Sequence, residues 1–228
     1  MSSQESSMDS SVPRVWLRAS DLEAECKPLE AVHGHASIAV LLPWTDKEMV
    51  ERASALMASR AGYPCTIYCL EDNLEMGPLA LMSAALVHIR SDWVVYAAQD
   101  AFAGRYWLRF AAAALKAQPA ARLLAFNDGK WFGRLAAFGM VHKPWLLGLY
   151  GGPLFHAGYR RHFADVELSL IARQQQRFVY HPNALLAEVD FEKDRRSVDE
   201  RDRAHFLLRL GGGFDGLVSD HSLLAEFR

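Results

Sequence analysis

The sequence has few cysteines and no long hydrophobic run, and both shortages exclude classes of protein. Three cysteines in 228 residues do not make the disulfide framework of a small secreted protein. The longest apolar run that we find, Ile38–Pro43, falls far short of the ~20 residues that a membrane-spanning helix needs. The polar N-terminus lacks the basic start and apolar core of a secretory signal, so we expect a cytoplasmic protein.

An excess of charge of one sign is also missing. The chain has 25 Lys and Arg against 27 Asp and Glu, a net charge of -2 that gives no electrostatic case for a nucleic-acid partner. The sequence contains no GxxxxGK[ST] loop, no GxSxG elbow and no GxGxxG after its first strand-like run. These absences argue against P-loop enzymes, hydrolases and dehydrogenases. The hydrophobic content of 51% is nevertheless that of an ordinary globular domain.

From Ser37 onwards, short apolar runs alternate with stretches of helical pattern. The predicted strands are 38–42, 65–70, 92–97, 122–126 and 178–180, and the predicted helices are 46–60, 79–89, 105–117 and 165–176. Thr45 and Glu48 form a capping-box pattern at the first helix. The alternation predicts a single α/β domain with a mostly parallel sheet flanked by helices over 37–190. A Ser-rich, mixed arm (1–36) precedes this domain, and a charged segment with an apolar tail (191–228) follows it.

Polar and acidic residues follow three of the predicted strands, at 71–73, 99–100 and 127–128. Because the carboxyl ends of parallel strands share one edge of a sheet, where ligands bind, we expect these side chains to converge. Carboxylates there can accept hydrogen bonds from a base or ribose, or hold a divalent cation against phosphates. Each of them taken alone also suits a helix cap or a turn.

Other candidate groups lie later in the chain. Asp165 is either a general base at a helix N-terminus or a plain N-cap. Gly151 and Gly152 permit either the close approach of a ligand or a simple turn. His181 and Glu188 are candidate metal ligands, although a lone histidine is more often a packed or surface residue. Cys65 and Cys69 share one strand face and are interpreted as buried thiols.

The order and spacing of these segments resemble a family 2 glycosyltransferase of the GT-A (Rossmann-like) fold over about Ser37 to Asp190. Ser37–Asp46 (SIAVLLPWTD) is similar to the opening strand and loop of that family, and Cys65–Asn73 (CTIYCLEDN) is similar to its second strand. The resemblance implies that Pro43, Glu71 and Asp72 contribute to nucleotide-sugar binding, with Asp72 on the uracil or ribose.

The resemblance extends to the D-x-D motif and to a late acidic motif. Ala98-Gln99-Asp100 aligns with D-x-D, so that Ala98 replaces the first acidic residue and Asp100 matches the usual metal-binding aspartate. Asp165 matches the catalytic base of inverting members. Gly151 and Gly152 resemble the glycine pair that precedes this base and lines the acceptor side.

The resemblance implies a hexosyltransferase type of enzyme with Mg²⁺ or Mn²⁺ at Asp100, aided by His181 or Glu188. The donor would be a UDP- or GDP-sugar, and the acceptor a hydroxyl of a glycan, a lipid-linked molecule or a protein. Because Ala98 weakens the motif, a non-catalytic nucleotide- or glycan-binding protein on the same scaffold is the alternative. A nucleotidyltransferase is less favoured, since Leu42–Lys47 lacks a glycine-rich basic signature.

The apolar tail is expected to pack on the domain or in a homodimer. Peripheral attachment of this tail at the inner membrane face is less favoured, because few basic residues accompany it.

Overall fold

Eight strands among the described residues join in one sheet. A computed structural model describes residues 12–24, 38–189 and 198–227. The strands are β1 (Arg14–Arg18), β2 (Ile38–Trp44), β3 (Thr66–Glu71), β4 (Trp93–Tyr96), β5 (Ala101–Ala103), β6 (Leu123–Asn127), β7 (Gly139–His142) and β8 (Phe178–Glu188). Their order across the sheet is β1-β3-β2-β4-β7-β6-β8-β5.

Helices cover both faces of this sheet. They are α1 (Ala19–Ala24), α2 (Lys47–Arg60), α3 (Pro78–Leu86), α4 (Trp107–Ala117), α5 (Lys143–Tyr150), α6 (Ala164–Gln174), α7 (Glu200–Gly211), the short turn α8 (Gly213–Gly216) and α9 (His221–Ala225). Strand β2 shows why the strands are apolar throughout: Ala39 and Leu41 pack in one hydrophobic cluster, and Val40 and Leu42 pack in the other. The α/β class and the flanking helices predicted from sequence are confirmed.

The prediction of a mostly parallel sheet is wrong, because the sheet is mixed. Strands β1, β3, β2 and β4 run parallel, as do β6 and β8, but β7 is antiparallel to both β4 and β6, and β5 is antiparallel to β8. Antiparallel neighbours need no helical crossover. The strand–helix alternation that indicated parallel pairing therefore carries no signal for β5 or β7.

The antiparallel direction of β7 does not separate the carboxyl ends of the parallel strands. Because β7 is antiparallel to both of its neighbours, β6 points in the same direction as β4. The carboxyl ends of β2, β3, β4 and β6 therefore face one edge, as the acidic strand ends predicted. Gln99, which follows β4, accepts hydrogen bonds at Oε1 from the amides of Thr45 and Asp46 at 2.8 and 2.9 Å, and so joins two of these ends.

The first long helix begins one residue later than its capping pattern predicted. Asp46 occupies the N-cap position of α2, and its carboxylate accepts a hydrogen bond from the amide of Met49 at 3.1 Å. The capping box of Thr45 and Glu48 does not form, because the Thr45 amide is held by Gln99 and Asp46 supplies the cap.

Residues on either side of the predicted range 37–190 belong to the same folded unit. Strand β1 pairs with β3 at the sheet edge, and Phe206, Leu210 and Phe214 lie in the same cluster as the central strands. Packing of the apolar tail on the domain is thus confirmed, as is the burial of Cys65 and Cys69. Residues 1–11, Cys26 and the charged stretch 190–197 lie outside the described residues. Within the described ranges, no helix combines the length and the apolarity needed to cross a bilayer.

We expect Gly139→Ala to destabilise the protein by about 1–3 kcal/mol, because a side chain there overpacks the core. Gly139 of β7 lies opposite Tyr96 of β4, and a Cβ on this glycine would collide with the phenol of Tyr96. That phenol donates a buried hydrogen bond to the carbonyl of Ala136 at 2.8 Å. The control is Gly148→Ala in α5, where a Cβ meets no described atom within 4 Å and should stabilise the helix. Urea unfolding of both variants tests this: equal stabilities would contradict the expectation.

Candidate functional site

A cavity of about 420 Å³ opens at the carboxyl edge of the sheet. Its lining includes the end of β4 with the loop after it, the loop after β6, the approach to α6 with its first turn, the end of β8 and the start of α3. The polar and charged lining residues include Asp100, Lys130, Arg161, His162, Asp165 and Glu188, and Ala98 lies among them. The volume is that of a small-molecule site. The fold thus brings Asp100 and Asp165, which are 65 positions apart in sequence, into one cavity.

Asp165 lies in the first turn of α6 and is half-buried. The N-cap position is occupied by Phe163, which has a left-handed backbone with φ of 67°, so the interpretation of Asp165 as a plain N-cap is wrong. The Asp165 carboxylate accepts hydrogen bonds from its own amide and from that of Val166. Burial nevertheless raises the pKa of Asp165 to about 6, and the negative charges of Asp128 and Glu188 act in the same direction. A carboxyl with this pKa suits a proton acceptor near neutral pH.

Asp100 and Glu188 lie at the same end of the antiparallel pairing of β5 with β8. The Asp100 side chain is only 5% exposed, and its residue immediately precedes β5. Glu188 pairs with Ala101 in the register of the two strands. Ala98 lines the same cavity as Asp100. The first position of the D-x-D pattern therefore also lines the cavity, but it provides no carboxylate.

Lys130 is a site residue that the sequence analysis missed. The Asp128 carboxylate is 1% exposed and accepts hydrogen bonds at Oδ1 from the amides of Lys130 and Trp131, both at 2.8 Å. This turn directs Lys130 into the cavity, where its Nζ lies 3.9 Å from Glu188 Oε2. The sequence signal, a basic residue just after the acidic end of a strand, is common in turns and identifies a site only when the fold is known.

Of the metal ligands proposed from sequence, Asp100 and Glu188 both line the cavity, but His181 does not. His181 stacks on Phe110 with ring centroids 5.6 Å apart, and its Nδ1 accepts a hydrogen bond from the amide of Asn183. Strand β8 continues past His181, and Glu188 is the residue of this strand that lines the cavity. In the part of the chain that the structure describes, no group of three His, Cys, Asp or Glu side chains is placed to hold a metal ion.

The residues expected at the nucleoside lie along the same sheet edge but do not belong to the described cavity lining. The two carboxylate oxygens of Asp72 accept hydrogen bonds from the amides of Met76 and Gly77, each at 2.8 Å, and so fix the loop before α3. Glu71 is half-buried at the end of β3, where it pairs with Trp44, and Pro43 is buried near the end of β2. Their contact with a nucleoside stays a prediction.

Gly151 and Gly152 follow α5 and have φ angles of +71° and +155°. A Cβ on either glycine would meet no atom within 4 Å among the described residues. Residues other than glycine rarely adopt these backbone angles. The angles alone therefore explain why glycine occupies both positions. Their predicted place on the acceptor side stays untested.

A buried polar network, also missed by the sequence analysis, holds the start of α6 against α7. Glu167 is 0% exposed, and its carboxylate accepts hydrogen bonds from Arg209 Nε at 2.8 Å, from Arg209 Nη2 at 2.7 Å and from the Tyr159 hydroxyl at 2.7 Å. Burial, followed by the charge of Glu167, raises the pKa of Tyr159. Asp202 accepts hydrogen bonds from three successive backbone amides at 160–162. Helix α7 therefore fixes the segment that leads into Asp165.

Comparison with known proteins gives matches in structure alone. No protein-family model matches the sequence, and no curated protein matches it. Glucosyl-3-phosphoglycerate synthase from Mycobacterium tuberculosis, in complex with phosphoglyceric acid, matches with a TM-score of 0.55 and 13% identity over 92% of this chain and 89% of that chain. A mannosyltransferase from Pyrobaculum calidifontis, in complex with GDP-Man and Mn²⁺, matches with a TM-score of 0.53 and 13% identity over 87% and 78%. The chain has the GT-A fold of these glycosyltransferases.

Proposed function

We propose that the protein is a glycosyltransferase that moves a sugar from a nucleoside diphosphate sugar to an acceptor hydroxyl. The observation that carries this proposal is Asp165: a half-buried carboxyl with a pKa of about 6 faces a cavity at the carboxyl edge of a GT-A fold. Two of the structural neighbours were solved with donors of this class, GDP-Man in one case and UDP-Glc in the other. A UDP- or GDP-sugar is therefore the proposed donor.

The proposed reaction is a single displacement with inversion. The acceptor oxygen attacks the anomeric carbon while its proton passes to the Asp165 carboxylate. The bond from the anomeric carbon to the phosphate oxygen breaks, and its electron pair leaves with the nucleoside diphosphate. Asp165 then releases the proton to solvent. The raised pKa makes this carboxylate a stronger base than an exposed aspartate, while most of it stays ionised at pH 7.

The described side chains of the cavity form no preassembled site for the Mg²⁺ or Mn²⁺ that the resemblance implies. Mg²⁺ takes six oxygen ligands and is usually held by one or two carboxylates together with substrate phosphates and waters. Where the D-x-D pattern has two carboxylates the cavity has one, that of Asp100, because Ala98 provides none; His181 is stacked on Phe110, and the described residues include no metal-binding group of three. We therefore propose a displacement that uses only protein side chains.

A nucleotide- or glycan-binding protein without turnover is the second candidate, and Ala98 is the observation that favours it. A thermal-shift panel of UDP, GDP, CDP and their sugars tests the binding that both candidates share. We expect one base to raise the melting temperature, because a ligand that binds only the folded state stabilises it. Release of nucleoside diphosphate from the matching sugar then separates the enzyme from the binding protein. No stabilisation by any nucleotide would contradict the glycosyltransferase and the nucleotide-binding protein, and would leave glycan binding as the remaining candidate.

The rate of transfer should depend on pH through Asp165. Because the base must be ionised and burial raises its pKa to about 6, the rate should rise from pH 5 to 7 and then level off. A carboxyl with the ordinary aspartate pKa of 3.8 would instead give a flat profile over this range. The measurement is nucleoside diphosphate release at saturating donor. A flat acidic limb would show that Asp165 is not the base.

A further inference from the structure

The cavity has a surplus of negative charge for a site that must hold a diphosphate. Its lining includes three carboxylates, those of Asp100, Asp165 and Glu188. A diphosphate placed beside them is repelled unless a cation lies between. The proposed function therefore needs a positive group in the cavity, and among the described residues no group of three His, Cys, Asp or Glu side chains is placed to hold a divalent ion by itself.

The described lining contains one lysine and one arginine, Lys130 and Arg161. Arg161 is exposed, whereas the Lys130 side chain is 27% exposed and reaches among the carboxylates, 3.9 Å from Glu188 Oε2. His162 also lines the cavity, but burial lowers its pKa below the ordinary histidine value, so it is mostly neutral at pH 7. Lys130 is thus the cation that the fold holds inside the cavity.

The backbone around Lys130 is fixed independently of its ammonium group. The Asp128 carboxylate holds the amides of both Lys130 and Trp131, and the carbonyl of Asp128 accepts a hydrogen bond from the amide of Glu188 at 3.1 Å. The loop after β6 is therefore tied to the end of β8. A lysine on a fixed backbone can move its flexible end from a carboxylate to a phosphate at little cost.

We propose that Lys130 is the counter-ion of the donor diphosphate, so that this protein binds its nucleotide without a divalent metal. The proposal rests on the proposed function. It assigns to Lys130 the compensation of the diphosphate charge, for which Ala98 and His181 contribute no metal ligand in the cavity. Lys130 leaves Glu188 and donates hydrogen bonds to the phosphate oxygens. When the sugar is transferred, the electron pair of the broken bond goes to the diphosphate, and Lys130 stays protonated beside it.

Titration calorimetry with UDP and GDP, in EDTA and in Mn²⁺, tests this role. The variants are Lys130→Met, Lys130→Arg and Glu188→Gln, with Lys116→Met on the exposed face of α4 as the matched control. In EDTA the wild-type protein should bind one nucleotide about as tightly as in Mn²⁺. Lys130→Met should weaken binding by roughly 10- to 100-fold in both buffers, since a hydrogen bond between charged groups is lost. Lys130→Arg should restore part of that loss.

Glu188→Gln distinguishes the counter-ion from a metal site, because the two predict opposite effects. If Lys130 compensates the diphosphate, removing the competing carboxylate should tighten binding. A gain in affinity also cannot result from a damaged fold. Binding by wild type only with Mn²⁺, or normal binding by Lys130→Met, would overturn the role of Lys130 while leaving the glycosyltransferase proposal intact. Absence of nucleotide binding in both buffers would overturn both.

Discussion

Asp165→Asn is expected to slow sugar transfer by roughly 10²- to 10⁴-fold, the usual contribution of a positioned general base. Nucleotide binding should be retained or become tighter, because other residues make the proposed contacts to the donor and one of the three carboxylates that repel the diphosphate is removed. Asparagine has nearly the same shape as aspartate but cannot accept the acceptor proton. The measurement is nucleoside diphosphate release from the nucleotide sugar that the binding panel identifies, followed at pH 7.5. An unchanged rate would remove Asp165 from the reaction.

The same substitution should also stabilise the fold above pH 6. The pKa of Asp165 is about 6 in the folded protein, above the ordinary aspartate value of 3.8. The folded state therefore favours the protonated carboxyl: that stability is fully present below pH 3.8 and is lost as the pH rises through 6. Because asparagine is neutral at every pH, the melting temperature of the variant should exceed that of the wild-type protein at pH 7.5 and equal it near pH 4. The exposed Asp92→Asn is the control and should change neither activity nor stability.

Arg209→Met is expected to destabilise the protein by about 3–5 kcal/mol, the usual cost of leaving a buried charge without its partner. The Arg209 and Glu167 side chains are 8% and 0% exposed, so water cannot replace the lost guanidinium. The matched control is Arg203→Met on the same helix, where the side chain is exposed. Urea unfolding should show a large loss for the first variant and little change for the second.

The double variant Glu167→Gln/Arg209→Met separates the charge from the packing. A neutral glutamine carries no buried charge and still offers an oxygen to the Tyr159 hydroxyl. We therefore expect it to recover part of the stability that Arg209→Met loses. If the double variant is less stable than Arg209→Met, the ion pair does not explain the loss.

The central strands were predictable because burial on both faces leaves a local signal. Strands β2, β3, β4 and β6 are nearly continuous apolar runs, and each lies within one residue of its prediction at the start. Strand β5 has only three residues, and β8 carries His181, Pro182 and Asn183 in its middle. Neither the length of β8 nor the pairing of the two strands therefore shows in the sequence. Pairing between distant, short strands depends on tertiary contacts rather than on local propensity.

The candidate site likewise contains residues that local sequence patterns predict and residues that they do not. The placement of Asp100 and Asp165 at one edge of the sheet was predictable, since each follows or begins an element with a clear pattern, and the order of the motifs resembles a known family; their roles stay predictions. Lys130 and Arg209 were not, because their partners Glu188 and Glu167 are 58 and 42 positions away (188 − 130 and 209 − 167). Charged residues of this kind are common on surfaces, and only the fold shows which of them are buried together.

The most direct test of the account is a crystal structure of the protein with the nucleoside diphosphate that stabilises it in the thermal-shift panel. The account predicts the diphosphate in the cavity at the carboxyl edge, within hydrogen-bonding distance of Lys130 Nζ, with the Asp165 carboxylate facing the side from which the acceptor would attack. A nucleotide bound elsewhere on the protein, or a diphosphate in the cavity that makes no contact with Lys130 and leaves Asp165 remote, would contradict it.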